Sequence, residues 1–92
     1  MGVTVHHPGP TDLVALRDLV SGLAAAVLGR DEIDPAESFF ALDGNSLLAI
    51  RLTDRIAQAT GVRIPARTFY EGSSANELAQ SLSDLLARNG GQ

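Results

Sequence analysis

Three groups of side chains in this 92-residue sequence could take part in chemistry: the hydroxyl of Ser46, the imidazoles of His6 and His7, and the carboxylates of Asp31, Glu32, Asp34 and Glu37. Ser46 stands where the irregular run Asp43-Gly44-Asn45 gives way to Ser46-Leu47-Leu48-Ala49-Ile50, a loop passing into a helix. The first turn of a helix has N–H groups without intrahelical partners and lies at the positive end of the macrodipole, so a phosphate carried by a serine there is favoured. A serine in that place also serves simply as a cap or first-turn residue. A hydrolytic role would need a base and a group that orients the base. The only imidazoles lie within the first ten residues, Gly44-Asn45-Ser46-Leu47-Leu48 lacks the second glycine of a nucleophile elbow, and no strand precedes it. Asp43 and Asp54 offer ordinary carboxylates, weak bases toward a hydroxyl. The sequence therefore contains no assignable catalytic residue, and Ser46 reads as a passive acceptor, made reactive only in another enzyme's site.

The remaining groups carry less. Four acids without a glycine-centred spacing do not make a calcium loop, and they read as a solvated surface. With no cysteine there is neither a disulfide framework nor a thiolate metal site, and no metal is expected. Residues 1–10, with Gly2, Pro8, Gly9 and Pro10, have no apolar period and read as a mobile tail, which would hold His6 and His7 against no partner. Seven arginines and no lysine stand against 11 acids, a net charge of −4 that supplies no basic stripe for nucleic acid. No apolar run reaches the roughly 18 residues of a membrane span, and the N-terminus lacks the order of a signal peptide. The expectation is a cytoplasmic, monomeric protein whose partners are proteins or small molecules, with no membrane or nucleic-acid role.

The elements that must position Ser46 follow from periodicity. From Thr11 or Asp12, Leu13, Leu16, Val20, Leu23 and Val27 recur at three- and four-residue steps and predict a core-facing helix, widened by Leu19, Ala24 and Leu28 and stopped at Gly29. Residues 30–45 form an unusually long connection. Its Phe39, Phe40 and Leu42 are too apolar to leave in water and should pin it to the bundle, with Phe40 and Leu42 against Leu52 and Ile56.

A second helix is predicted over 46–60, closed by Gly61. At 100° per residue, Leu48, Leu52, Ile56 and Ala59 share the core arc, while Ser46, Leu47, Ile50, Asp54 and Gln58 share the opposite one. Leu47 and Ile50 either pack under the long loop or form a partner-binding patch. Val62-Arg63-Ile64-Pro65 alternates and stops at a proline, an extended connector. Residues 66–70 make one or two helical turns with Phe69 or Tyr70 inward. Ser74-Ala75-Asn76-Glu77 matches a capping box that opens a last helix to about Arg88, with Leu78, Leu82 and Leu85 as its stripe and Gly90-Gly91 as its end. Residues 11–89 thus make one all-α bundle, too small for a deep catalytic cleft, between tails at 1–10 and 90–92.

Three stretches together resemble the phosphopantetheine carrier proteins, most of all the peptidyl carrier (thiolation) proteins of nonribosomal peptide synthesis. They are Phe39-Phe40-Ala41-Leu42, Gly44-Asn45-Ser46-Leu47-Leu48-Ala49, and Gly61-Val62-Arg63-Ile64-Pro65 followed by Phe69-Tyr70-Glu71 and the capped last helix. The resemblance spans roughly Leu13 to Leu86. It implies a bundle of three long helices and one short one, with a long loop between the first two. It also implies that Ser46 carries 4′-phosphopantetheine, whose terminal thiol bears an aminoacyl or related acyl group as a thioester. A phosphopantetheinyl transferase would attach the arm, and adenylation, condensation or tailoring enzymes of natural-product biosynthesis would use it. Met1 and short flanks suit a free-standing carrier, and a domain cut from a longer chain would look the same.

The sequence departs from that pattern at two positions. Asp43 stands where the first of two glycines is usual, and Asn45 replaces the usual His or Asp before the serine; either neighbour could be read by the transferase, and either could cap the helix. The remaining classes are an acyl carrier of polyketide or fatty-acid type and an unmodified helical interaction module. Fatty-acid carriers resemble one another in a strongly acidic second helix, whereas residues 46–60 here contain Arg51, Asp54 and Arg55. Docking is therefore expected to centre on Leu47 and Ile50 with Phe69 or Tyr70, flanked by Asp43, Asn45 and Arg51, and to depend only modestly on salt.

Overall fold

The computed structural model describes residues 12–90, so the expected N-terminal tail, with His6 and His7, and residues 91–92 lie outside the described residues. Four helices follow one another: α1 Leu13–Leu28, α2 Ser46–Thr60, α3 Ala66–Glu71 and α4 Ala75–Gly90. Each long helix starts on the polar residue the sequence offers for it. The Asp12 carboxylate accepts from the Val14 and Ala15 amides, Asn45 Oδ1 accepts from the Leu48 amide, and Ser74 and Glu77 exchange the two bonds of a capping box at 3.1 and 3.2 Å. Gly29 and Gly61 end α1 and α2 at φ 73° and 79°, the left-handed region where a Cβ is penalised. The last helix runs past Arg88 and includes Gly90, one turn's fraction longer than the expected stop.

α1 packs against both α4 and α2, and α3 packs against α4. The core between them holds Leu16, Val20 and Ala24 of α1, Leu52 and Ile56 of α2, Phe69 of α3, and Leu78, Ala79 and Leu82 of α4. Val62 and Ile64 are also buried, while Arg63 and Pro65 between and after them are exposed, so the connector keeps the period of two that its sequence predicts.

Three core expectations are corrected. Leu13 is 41% exposed, because it sits in the first turn of α1. Ala59 is exposed near the C-terminus of α2, and Ala49 and Thr53 join Leu52 and Ile56 on the buried face instead. Of the adjacent phenylalanines, Phe39 is the deep anchor at 2% exposure, whereas Phe40 is half-buried at the edge of the core. Leu42 is half-buried too and is absent from the core cluster.

The long loop is held by more than its aromatic rings. The Phe39 amide donates to the Ser73 carbonyl at 3.1 Å, the Ser38 and Ser73 hydroxyls share a bond of 2.8 Å, and the Asn76 amide donates to the Pro35 carbonyl at 3.0 Å. A single antiparallel bridge pairs Ser38 with Ser74. The loop is thus stitched to the start of α4, which satisfies backbone groups that burial of Phe39 would otherwise leave without water.

Candidate functional site

The site is built from the end of the long loop upward. Phe39 lies among Phe40 and Phe69 with ring centroids 6.0 and 6.1 Å away, both edge-on. The chain then folds tightly back over this ring: the Leu42 amide donates to the Ser38 and Phe39 carbonyls, and the Gly44 amide to the Phe39 carbonyl at 3.0 Å. Asp43, at the apex, takes φ 75°, and it is the sole non-glycine residue with positive φ among the described residues. Its carboxylate accepts from Arg30 Nη2 at 3.0 Å, an ion pair that joins the two ends of the long loop.

Asn45 follows in an extended conformation and caps α2. The question of which neighbour caps is therefore decided. Asn45 does so, and Asp43 occupies a backbone conformation that favours glycine.

Ser46 is the first residue of α2 and is exposed. Asn45 engages the Leu48 amide, so the Ser46 and Leu47 amides at the helix end have no intrahelical acceptor and remain open toward an anion. Neither carboxylate offered as a neighbouring base is hydrogen-bonded to the Ser46 hydroxyl: Asp43 pairs with Arg30, and Asp54 with Arg63 at 2.7 Å.

A trough of about 310 Å³ opens beside Ser46 between α2 and α3. Ala49, Ile64 and Phe69 are its buried floor, and Ile50, Pro65 and Tyr70 are its exposed rim. Tyr70 stacks on Phe40 with the rings 6° from parallel, so the half-buried phenylalanine holds up the rim. Its far end is polar, with Arg63 Nη1 donating to Asp54 Oδ1 and reaching Thr53 Oγ1 at 3.4 Å. Thr53 is seven residues beyond Ser46, about 10 Å along the helix.

Of the residues expected at a partner face, Leu47 and Ile50 are exposed at 59 and 57%, and Tyr70 at 72%. Phe69 is corrected: at 3% exposure it is trough floor and core, and cannot be a surface contact. Asp43, Asn45 and Arg51 are exposed. No sequence motif marks Arg30, Arg63 or Thr53 as site residues. The sole sequence signal for Arg63 was its place at an outward position of the alternating connector.

The profile of the family described as "phosphopantetheine attachment site" matches residues 18–82. The chain belongs to this family. Carrier proteins of the phosphopantetheine attachment family are not catalysts; they are modified by a phosphopantetheinyl transferase, and 4′-phosphopantetheine is the prosthetic group of this carrier.

This carrier is 43% identical over 65 residues to CymA of Salinispora arenicola, a probable non-canonical nonribosomal peptide synthetase, which covers 71% of the chain and 1% of the synthetase. It is 40% identical over 86 residues to the pikromycin polyketide synthase component PikAII of Streptomyces venezuelae, 89% of the chain and 2% of the synthase. The chain thus spans only a few hundredths of the length of these relatives. In three dimensions it is similar to BlmI, a type-II acyl-carrier-protein from Streptomyces verticillus involved in bleomycin biosynthesis, at TM-score 0.70 and 29% identity, covering 86% of this chain and 90% of BlmI. The all-α carrier-protein fold expected from the sequence is therefore the fold of this chain.

Proposed function

We propose that Ser46 is the attachment point of phosphopantetheine and that the protein is a peptidyl carrier of natural-product biosynthesis. One observation carries the assignment of the serine. The sequence has seven serines, at 21, 38, 46, 73, 74, 81 and 83, and Ser46 alone is exposed. Ser73, Ser74 and Ser83 are buried, Ser38 is bonded to Ser73, and the Ser21 hydroxyl is inaccessible.

The surroundings fit the group. A phosphodiester on Ser46 Oγ would meet the open Ser46 and Leu47 amides, and the apolar trough beside it suits the flexible arm. In attachment, Ser46 Oγ forms a bond to the phosphorus of coenzyme A, the pyrophosphate P–O bond breaks, and adenosine 3′,5′-bisphosphate leaves. The serine proton passes to a base of the transferase, since neither Asp43 nor Asp54 is hydrogen-bonded to the Ser46 hydroxyl. Once bound, the group supplies a terminal thiol for thioester formation.

The peptidyl reading is supported by the likeness to CymA and by a second helix whose one acid is outnumbered by two arginines. Adenylation, condensation or tailoring enzymes are then its partners. A polyketide-type acyl carrier is the second reading, favoured by the longer match to PikAII.

Two steps test the proposal by intact mass. Incubation with coenzyme A and a broad phosphopantetheinyl transferase should add one phosphopantetheine to the wild type and none to Ser46→Ala. The holo-protein should then gain an aminoacyl mass from adenylation enzymes with ATP and amino acids. Loading by acyltransferases with malonyl-type thioesters instead would select the polyketide reading.

A further inference from the structure

Arg51 and Arg55 lie one turn apart on α2, both exposed, and neither forms an ion pair with a described residue. With Asp54 and Gln58 of α2 and Ala26 and Val27 of α1 they line a shallow polar groove on the flank of α2 away from the trough. Like charges four residues apart weaken a helix, so the stability of α2 gives no reason for the pair. Counting charges along the sequence sets Asp54 against these arginines. In the fold its Oδ1 accepts from Arg63 at 2.7 Å, so Arg63 of the connector neutralises it and the outer ridge of α2 is left cationic. That ridge is continuous with Leu47, which stands between the arginine groove and the Ile50 side of the trough.

We propose that this groove receives carboxylate side chains from a partner enzyme, so that docking joins the apolar Leu47 and Ile50 to an arginine pair selecting an acidic partner surface. The inference rests on the carrier reading above and names the chemistry of its partner. Guanidinium groups pair bidentately with carboxylates, and two of them one turn apart fit two acids at similar spacing on a protein surface. The groove presents two guanidinium groups on a protein of net charge −4, which suits two local carboxylates and is too few for the many charges of an extended polyanion. The arginine pair then adds a local charge contact that weakens with salt, in contrast to the modest dependence expected from the sequence.

The test uses the full chain labelled with 15N and three synthetic amphipathic helical peptides of one length. Their apolar positions are Leu and their polar positions are all Glu, all Gln or all Lys. The Glu peptide should shift the Arg51 and Arg55 side-chain N–H signals and the Ala26 and Val27 amides, and its affinity should fall about tenfold or more between about 50 and 500 mM salt. The R51Q/R55Q variant, with its spectral dispersion intact, should bind it about tenfold more weakly. R51K/R55K should recover part of the loss, since lysine keeps the charge without the fork. Equal binding of the Gln or Lys peptide, shifts confined to the α3 side, an unaffected R51Q/R55Q variant, or a preference for anionic lipid vesicles over the Glu peptide would each overturn the proposal. The titration is read on unmodified protein, so its failure leaves the loading of Ser46 standing, and a failure to load Ser46 leaves the titration result standing.

Discussion

Gly44 rests directly on Phe39: a Cβ at position 44 would come within 2.6 Å of the Phe39 carbonyl oxygen and closer still to its ring. Backbone cannot yield as the tip of a flexible side chain can, so the glycine is required by close approach. Gly44→Ala should destabilise the protein by about 2–4 kcal/mol, through overpacking and the strained Gly44 to Phe39 hydrogen bond. Urea denaturation of the variant measures it, and an unchanged midpoint would show that the turn relaxes freely.

The two phenylalanines should differ. Phe39→Ala empties the centre of the core and should cost about 3–5 kcal/mol, much of the stability of a small domain. Phe40→Ala should cost less, since that ring lies only partly buried at the edge of the core, and it should instead free Tyr70. Thermal melts of both variants rank them; a Phe40→Ala variant as unstable as Phe39→Ala would reverse the assignment of the anchor.

At the helix start, Asn45→Ala removes the bond to the Leu48 amide and should cost about 1 kcal/mol. Asp43→Gly removes the Cβ penalty of the left-handed conformation but breaks the exposed pair with Arg30, two small opposed effects that should leave stability within about 1 kcal/mol of wild type. Asp43→Ala loses the pair and keeps the strained backbone, so it should melt below both wild type and Asp43→Gly.

Ser46→Ala should keep the helical spectrum and the melting temperature of the wild type while abolishing addition of phosphopantetheine. Peptide mapping of the treated variant checks the other six serines. Any of them found loaded would refute the exposure argument.

Ile50 is more than half exposed on the rim of the trough, so Ile50→Asp should change stability by no more than about 0.5 kcal/mol. It should nevertheless slow acyl loading by a partner enzyme, because a charge would replace part of an apolar contact. Loading rates of holo-protein at several carrier concentrations would show this as a raised KM; equal kinetics would remove Ile50 from the docking face.

The helices and the serine were legible in the sequence because their determinants are local. Asp12, Gly29, Gly61 and the Ser74–Glu77 box act within one or two turns of themselves, and the leucine periods need no knowledge of what they meet. The same holds for Ser46, whose place at a loop-to-helix junction follows from its neighbours alone. What neighbouring residues cannot specify, only the tertiary structure decided. Adjacent phenylalanines have equal hydrophobicity, and Phe39 became the anchor because its amide is also bonded by Ser73, 34 residues away. Asn45 became the cap because the tight turn closed by the Gly44 to Phe39 hydrogen bond places Asp43 at a positive φ, two residues short of the cap position. Ala59 lost its place in the core because the buried arc of α2 is centred nearer Ala49 and Thr53 than a pattern of large side chains shows. Asp54 ceased to balance Arg51 and Arg55 because the connector carries Arg63 back against it. Each of these outcomes depends on groups distant in sequence meeting in space, and a local pattern contains no term for that.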